Sequence, residues 1–317
     1  MPKVSVVIPV YNVEQYIERC LHSLFGQTLD DIEYIFVDDS SIDNSVKIIN
    51  KALELYPCRK GLTKILCHGS NLGVGAARTT GIKAATGDYI IHCDPDDYVE
   101  LDMYEKLYSH AIGTDADIVA CYYWKEQQSQ KDVVRINYSS TPQECLRNLY
   151  KKKHHCGYLW DKLVRRRLIT CYGIIPHERY NYAEDLYCVV KILYYAHSLS
   201  VVNQPLYHYC RREGSTTDSP RNEYYWIIRK EVIDGICDFL GNEKRYETAC
   251  SYMRFHVKME YRSAFIGKEK EWFELYQESH DKIFKYTGLP LKVRILWWLA
   301  FRSYFTYKIA KALVKGI

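Results

Sequence analysis

The segment GDYIIHCDPDDYV, residues 87–99, leads an apolar stretch directly into a turn that carries three carboxylates. Its isoleucines and cysteine favour burial, whereas the acidic side chains at their end repel one another. Pro95 disfavours a helical conformation at the preceding residue, so we expect Asp94 and Asp96 to lie on one side of an extended chain. A divalent cation such as Mg²⁺ or Mn²⁺, which binds few protein carboxylates, would offset their repulsion. The alternative is a plain surface turn, since Asp and Pro both favour turns.

Short apolar runs and amphipathic patterns alternate through the N-terminal third of the chain. Four runs lack polar alternation, as is expected of strands that are covered on both faces. They are residues 4–8, 33–38, 64–68 and 88–93. Three helical patterns lie between them, at residues 13–27, 45–56 and 74–85. This alternation predicts an α/β fold with right-handed crossovers, in which a mainly parallel sheet is sandwiched by helices.

Polar and aromatic residues follow three of the predicted strands, in the sequences PVYN (9–12), DDSSIDNS (38–45) and DPDDY (94–98). Because ligands of open α/β sheets bind beyond the carboxyl ends of the strands, we expect a site at this edge. Arg78 precedes the fourth strand; it would bind a diphosphate there, as a nucleotide-binding residue, or pair with one of the aspartates. No glycine-rich loop follows the first strand, which argues against a dinucleotide oxidoreductase.

Downstream the patterns become increasingly helical. Asp102-x-x-Glu105 is a capping box that predicts the start of a helix. Residues 125–158 are polar and irregular. Residues 184–196 are predicted to form an amphipathic helix, and the chain from residue 222 onward is expected to be mostly helical.

The twelve cysteines show no C-x-x-C pair, so we expect free thiols and a reduced, cytoplasmic protein. Those within apolar segments are expected in the core; they are Cys20, Cys67, Cys93, Cys188 and Cys237. His154, His155 and Cys156 lack a second pair at zinc-like spacing, so no zinc site is expected. The first residues predict a strand rather than a leader peptide, and no apolar run is long enough to predict a spanning helix. A net charge of +4 is too small to indicate a nucleic acid partner.

Several blocks, taken together and in order, resemble family 2 glycosyltransferases, which have the GT-A fold. VSVVIPVYN, YIERCLHSLFGQT, EYIFVDDSSIDNS, NLGVGAARTTGI and GDYIIHCDPDD are similar to the nucleotide-binding half of these enzymes. LWDKLVRRRL, AEDLYCVVKI and LYHYCRREGST resemble later blocks of bacterial members that build surface polysaccharides. We therefore divide the chain into a nucleotide-sugar-binding half (1–118), an acceptor-binding and catalytic half (119–220) and a C-terminal helical region with a basic amphipathic tail (221–317).

The resemblance implies roles for residues on the donor side. Pro9 and Tyr11 would line the base pocket, with Tyr11 stacked on a pyrimidine. Asp39 would accept a hydrogen bond from the uracil N3–H. Asp94 would face the ribose or the metal, and Asp96 would ligate the metal, Mg²⁺ or Mn²⁺, on the diphosphate.

The resemblance also implies a base and an acceptor-side wall. Inverting sugar transfer needs a base that takes the proton of the acceptor hydroxyl, and Glu184-Asp185 resembles the block that supplies it. We choose Asp185; the alternative is an acid that is favoured at a helix start by the dipole alone. Trp160 and Asp161 resemble the acceptor-side wall, where an indole face would stack on a sugar ring. A buried tryptophan is the alternative there.

Residues 282–317 contain eight Lys or Arg and no acidic residue. They also contain Trp297, Trp298, Phe301 and Phe305. A basic, aromatic-rich amphipathic helix suits the anionic cytoplasmic face of a membrane, with its rings at headgroup level. The alternative is a terminal helix packed on the catalytic domain, with a solvated basic face.

The sequence as a whole predicts a metal-dependent, inverting glycosyltransferase that moves a sugar from a UDP-sugar to a glycan or lipid-linked acceptor in surface polysaccharide biosynthesis. We expect it in the cytoplasm, peripherally on the inner face of the cell membrane. A sugar nucleotidyltransferase would need a glycine-rich basic loop after the first strand, which PVYNVEQY does not provide. A catalytically silent carbohydrate- or membrane-binding protein with the same fold is a further alternative. The role of Asp97 stays open, and for His208 packing is favoured over metal ligation.

Overall fold

The computed structural model describes residues 1–127, 130–149, 157–177, 180–212, 223–241, 243–260, 262–285 and 290–313. His154, His155 and Cys156, which were considered as metal ligands, lie outside these ranges. The chain divides into two compact units. The first comprises Met1–Cys145 and Cys156–Asp218, and the second comprises Leu146–His155 and Ser219–Ile317.

The first unit is built on a single sheet. Its strands within the described ranges are β1 Val4–Val10, β2 Ile32–Asp38, β3 Thr63–Cys67, β4 Tyr89–His92, β5 Tyr98–Val99, β6 Ile118–Gln127, β7 Gln130–Val134, β8 Lys162–Arg165 and β9 Leu199–Arg211. They are ordered β3-β2-β1-β4-β8-β6-β9-β5, and β7 pairs with β6. The strands β1 to β4 are parallel to one another. β8 is antiparallel to both β4 and β6, whereas β9 is parallel to β6.

Helices connect and flank these strands. They are α1 Ile17–Phe25, α2 Ser45–Leu55, α3 Pro57–Lys60, α4 Val74–Ala84, α5 Met103–Thr114, α6 Pro142–Arg147, α7 Arg166–Cys171 and α8 Glu184–Tyr195. α4 packs on β1 and β2, and the contact is close because Gly81 has no side chain: a Cβ there would clash with Val7. The predicted α/β architecture, a mainly parallel sheet flanked by helices, is confirmed.

Burial follows the position of each strand in the sheet. β1, β2 and β4 are buried along their whole length, as expected for strands covered on both faces. β3 lies at the edge of the sheet and is only partly buried. Cys67 ends β3 and is exposed, so its predicted place in the core is wrong, whereas the other four cysteines predicted there are buried.

The first helix is shorter than predicted. Residues 13–27 carry a helical pattern, but α1 begins only at Ile17. The reason is tertiary, because the amides of Val13 and Glu14 donate to Ser45 Oγ at 2.9 Å and to Asp43 Oδ2 at 2.9 Å. These bonds tie the chain after β1 to the start of α2.

The predicted capping box is wrong in its contacts. Asp102 precedes α5, but its carboxylate pairs with Lys106 at 2.7 Å and makes no cap bond. Glu105 accepts a hydrogen bond from Thr28 Oγ1 at 2.6 Å instead. Residues 125–158 are also more regular than predicted, since they contain the end of β6, all of β7 and α6. The β6–β7 pairing stabilises polar strands whose sequence shows no apolar alternation.

The second unit is helical, which confirms the predicted C-terminal helical region. Its α-helices within the described ranges are α9 Glu223–Leu240, α10 Lys244–Glu260, α11 Glu269–Glu274, α12 Leu291–Ala300 and α13 Tyr304–Leu313. Two 3₁₀ segments, Arg262–Phe265 and Gln277–Lys285, lie between them. Among the described residues, no helix combines the length and the apolar character that crossing a membrane requires.

Candidate active site

The carboxyl ends of β1, β2 and β4 lie side by side because these strands are parallel. Val10, the last residue of β1, is opposite Asp38, the last residue of β2. The Asp39 amide donates to the Val10 carbonyl at 2.8 Å, so the two chains stay together beyond the strands. Pro9 is buried within β1, whereas Tyr11 follows it with 47% of its surface exposed. Tyr11 therefore presents its ring at the edge where ligands of such sheets bind.

Asp39 is buried, and both of its carboxylate oxygens are engaged by the protein. Oδ1 accepts the amide of Leu72 at 2.9 Å and lies 2.7 Å from His68 Nδ1. Oδ2 accepts the amide of Gly73 at 2.7 Å. These bonds fix the carboxylate against the loop that precedes α4. Since each carboxylate oxygen has two lone pairs, Oδ2 retains one for a further donor.

The acidic turn differs from the extended chain that the sequence predicts. The Asp97 amide donates to the Asp94 carbonyl at 3.1 Å, which closes a turn over residues 94–97. Asp94 Oδ1 accepts a hydrogen bond from Arg78 at 2.8 Å, and Asp96 Oδ2 accepts one from Arg212 Nε at 2.7 Å. The two carboxylates thus pair with different arginines, because the turn directs the Asp96 carboxylate away from that of Asp94.

Asp97, whose role the sequence left open, anchors this turn to β9. Its carboxylate accepts hydrogen bonds from the Tyr207 hydroxyl and the Cys210 amide, both at 2.7 Å. The same Tyr207 hydroxyl accepts the amide of Asp94 at 3.2 Å. Burial, together with the nearby charges of Asp96 and Asp94, raises the pKa of Asp97 well above its ordinary value. Asp97 is therefore a structural acid of the turn.

Arg78 joins the acidic turn to the start of α8. Its guanidinium donates to Asp94 at 2.8 Å and pairs directly with Glu184, which is 106 positions further along the chain. Of the two roles considered for Arg78, the structure shows pairing with a sheet-edge aspartate. Burial acts to lower the pKa of Arg78, but the carboxylates of Glu184 and Asp94 outweigh it and raise that pKa. Arg78 is therefore a permanent cation between two acids.

The environment of the acids around Arg78 disfavours their ionisation. Burial raises the pKa of Asp94, and Asp96 adds to the effect while Arg78 opposes it. Burial also raises the pKa of Glu184 to about 7, against the influence of Arg78. On the adjacent strand, burial and then Arg78 hold the pKa of His92 well below its ordinary value, so His92 is neutral. An additional cation at this edge would stabilise the ionised carboxylates.

The start of α8 presents its two acids differently. Ala183, just before the helix, has a left-handed backbone with φ of 59°. Glu184 is 6% exposed and faces Arg78. Asp185 is only partly buried, and its Oδ1 accepts the amide of Leu186 at 2.7 Å. Of the two acids, Asp185 is the one that solvent or a ligand can reach.

A cleft of about 750 Å³ opens beside the acidic turn. Its lining includes Tyr16, Arg19, Asp96, Glu126, Arg211 and Arg212. The Arg212 guanidinium lies 4.4 Å from the centre of the Tyr16 ring, and that of Arg19 lies 4.4 Å from the Tyr98 ring. Sequence reasoning missed Tyr16 and Arg19. Their spacing of three residues within the predicted helical pattern at 13–27 was the available signal; in the structure Tyr16 directly precedes α1 and Arg19 lies in its first turn.

Trp160 and Asp161 lie inside the protein. Trp160 is 4% exposed and stacks on Tyr158 and Tyr207, with centroid distances of 4.7 and 4.3 Å. Asp161 is fully buried and pairs with Lys162 at 2.6 Å. The buried tryptophan was the alternative interpretation, and direct stacking of this indole on a sugar would require the tyrosines to move. Trp160 is linked to the acidic turn through Tyr207, whose hydroxyl donates to Asp97.

His208 is also packed. Its ring stacks on Tyr98 at 3.9 Å between centroids, and its two nitrogens lie 2.8 Å from Glu126 and 3.0 Å from Glu100. Both ring nitrogens thus lie within hydrogen-bond distance of carboxylates, and the packing of His208 that the sequence favoured is what the structure shows.

The chemistry of Asp94 and Asp96, two neighbouring carboxylates, is that of ligands for a hard divalent cation. Their side chains are 26% and 21% exposed, so both remain accessible at the edge of the sheet. Among the described residues no group of three or more His, Cys, Asp or Glu side chains is placed to hold a metal, and each of these two carboxylates is paired with an arginine. Two carboxylates suit Mg²⁺ or Mn²⁺, which complete their shells with phosphate and water oxygens.

Comparisons with known proteins agree with this architecture. The profile described as Glycosyl transferase family 2 matches residues 5–173. The uncharacterized glycosyltransferase EpsJ of Bacillus subtilis is 35% identical over 227 residues, which cover 69% of this chain and 64% of EpsJ, just under two thirds of that relative.

Two solved structures share the fold. TarS 1–349 of S. aureus in complex with UDP-GlcNAc matches with a TM-score of 0.70 and 21% identity, covering 98% of this chain and 90% of that one. The mannosyltransferase PcManGT of Pyrobaculum calidifontis, in complex with GDP-Man and Mn²⁺, matches with a TM-score of 0.56 and 15% identity, covering 98% and 86%. The family profile spans more than half of the chain, and the fold is that of GT-A enzymes: the protein belongs to glycosyl transferase family 2.

Proposed function

We propose that this protein is a metal-dependent, inverting glycosyltransferase that uses a UDP-sugar donor. One observation carries the proposal: Arg78 holds the acidic turn at Asp94 beside the start of α8 at Glu184. A group that binds the donor diphosphate and a group that activates the acceptor must lie on either side of the anomeric carbon. That Arg78 joins two acidic segments from distant parts of the sequence supports this proposal.

The donor side would be formed within residues 1–118. Tyr11, exposed at the end of β1, would stack on the uracil, and Asp39 Oδ2 would accept the uracil N3–H with its remaining lone pair. TarS, which has this fold, binds UDP-GlcNAc, and this supports a UDP-sugar. Asp94 and Asp96 would hold a divalent cation, which supplies charge stabilisation to the departing diphosphate. The Mn²⁺ complex of PcManGT supports a metal of this kind.

Asp185 would be the base, in the acceptor half formed by residues 119–220. Its carboxylate takes the proton of the acceptor hydroxyl while the hydroxyl oxygen bonds to the anomeric carbon. The bond from that carbon to the diphosphate breaks at the same time, on the opposite face, so the configuration inverts. Glu184 is unsuited to this role because it is buried against Arg78.

The acceptor would be a glycan or a lipid-linked sugar in surface polysaccharide biosynthesis. The resemblance of the downstream blocks to bacterial enzymes of that kind supports this assignment. A lipid-linked acceptor would place the protein peripherally on the inner face of the cell membrane, with its catalytic half in the cytoplasm.

The proposal is tested by measuring UDP release from a panel of UDP-sugars, with manganese and with EDTA. We expect at least one donor to be hydrolysed only with manganese. Asp96→Ala should abolish this turnover and the metal-dependent part of UDP affinity, whereas Asp102→Ala, at a surface ion pair, should change neither. Equal UDP affinity in EDTA and in manganese, measured by calorimetry, would show the metal assignment to be wrong.

A further inference from the structure

The last two helices of the second unit expose a row of large apolar side chains. On α12 these are Leu291, Ile295 and Leu299, and on α13 they are Phe305 and Ile309. Phe305 is 72% exposed. We call these five residues the α12–α13 apolar face.

The opposite side of both helices is packed. Trp297 and Ala300 of α12, with Tyr307 and Ala310 of α13, belong to a buried cluster that includes Trp272. The Trp297 and Tyr307 rings stack with their centroids 5.6 Å apart. The sequence placed Trp297 among the rings expected at headgroup level, and this is corrected, because Trp297 is 2% exposed. The solvent-exposed apolar surface of these helices therefore comes from aliphatic residues and Phe305, not from the buried tryptophan.

Helix geometry places the exposed apolar side chains of each helix on one side of that helix. Leu291, Ile295 and Leu299 are spaced by four residues, so they lie within roughly 80° of one another around α12. Phe305 and Ile309 have the same spacing on α13. The two helices pack on each other, and Thr306 Oγ1 donates to the Ala300 carbonyl at 3.0 Å across their junction.

The charge around this face is of one sign. Residues 282–317 contain eight Lys or Arg and no acidic residue. Lys292 and Arg302 are exposed on or directly after α12, and Lys308 is exposed on α13. The Arg302 guanidinium lies 4.2 Å from the ring centre of Trp298, which is itself partly exposed. Cationic side chains beside an indole and apolar residues match the layers of an anionic membrane surface.

We propose that the α12–α13 apolar face binds the surface of an anionic lipid bilayer, with its apolar side chains at the acyl boundary and its basic residues at the headgroups. Each helix has ten residues and would span roughly 15 Å, about half of a hydrocarbon core, so the helices lie in the membrane plane. The proposal assigns the residues that contact the membrane. It rests on the proposed function only where it explains why the protein would bind a membrane, namely to reach a lipid-linked acceptor.

Co-sedimentation with vesicles tests the proposal. The vesicles contain phosphatidylglycerol and phosphatidylcholine in equal parts, or phosphatidylcholine alone, and neither donor nor acceptor is present. We expect the full chain to bind the anionic vesicles and to lose this binding at high salt. Lys292→Gln with Arg302→Gln should weaken binding roughly thirtyfold, since each basic residue near such a surface raises the affinity roughly fivefold.

The apolar contribution is tested by Ile295→Gln with Phe305→Gln. Both side chains are exposed, so this variant should fold normally and bind the anionic vesicles at least roughly tenfold more weakly. The matched control is Leu55→Gln with Ile112→Gln, which removes two exposed apolar side chains of the first unit and should bind like the wild type.

Four outcomes would overturn the proposal. Three are equal binding to both vesicle types, wild-type binding by the Ile295/Phe305 variant, and no binding by the unmodified chain. A fourth is a dimer in ultracentrifugation that the Ile295/Phe305 variant abolishes while vesicles stay unbound, which would assign the face to a second copy of the chain. Donor hydrolysis is measured separately on the same samples, so an unmodified chain that hydrolyses donor but does not bind vesicles would overturn only the membrane assignment.

Discussion

Asp185→Asn separates the two roles that Asp185 can have at the start of α8. Its Oδ1 accepts the amide of Leu186 at 2.7 Å, and an asparagine oxygen can accept the same bond. The variant loses the attraction of the negative charge to the helix N-terminus and to Arg78. Because Asp185 is only partly buried, that attraction is partly screened. We therefore expect the free energy of unfolding to fall by no more than about 1 kcal/mol.

The effect on sugar transfer should be much larger. An asparagine side chain cannot take a proton from the acceptor, and a positioned base typically accelerates such a step by about 100- to 10,000-fold. We expect kcat to fall by roughly this factor while the Kd for UDP stays unchanged, because the base acts only in the transition state. Initial rates of UDP release at saturating donor, calorimetry with UDP and urea denaturation measure the three quantities.

Asp102→Asn is the matched control, since Asp102 is likewise an acid at the start of a helix but makes no cap bond. It should preserve the rate, the UDP affinity and the stability. Transfer at the wild-type rate by Asp185→Asn would refute the assignment of the base. Loss of rate accompanied by a loss of several kcal/mol of stability would instead show that Asp185 is needed for the fold.

Two further predictions concern the buried charges. Arg78→Met leaves the carboxylates of Asp94 and Glu184 without their cation, so urea denaturation at pH 8 should show a loss of about 3–5 kcal/mol, whereas exposed Arg167→Met should cost little. The pKa of Glu184 is raised from 4.5 to about 7 in the folded protein, so the folded state binds this proton more tightly and stability falls as the pH rises between those values. Glu184→Gln should remove about 3 kcal/mol of this pH dependence, and exposed Glu54→Gln should remove none; an unchanged curve in Glu184→Gln would contradict the burial argument.

The sequence by itself determined the strand–helix alternation and the edge where the site lies. Apolar runs without polar alternation predict strands covered on both faces, and parallel strands bring PVYN, DDSSIDNS and DPDDY to one edge. These are short-range signals, because the period of a strand or helix is set within a few residues. The order of the blocks was also sufficient to indicate the family.

Only the tertiary structure decided which charges meet at that edge. Arg78 and Glu184 are 106 positions apart, and no local pattern indicates that one cation is shared between α8 and the acidic turn. Asp97 belongs to the same acidic run as Asp96, yet β9 buries Asp97 and leaves Asp96 accessible. The insertion of β8 between β4 and β6 likewise depends on pairing between distant segments.

The tail shows the same division. Its basic, aromatic composition could be read from the sequence, and so could its helical character. Which rings face solvent could not, because Trp297 is buried by Trp272 and Tyr307, whereas Phe305 is left exposed. An amphipathic pattern states that a helix has two faces, but the packing partners decide which apolar residues are covered and which remain available for binding.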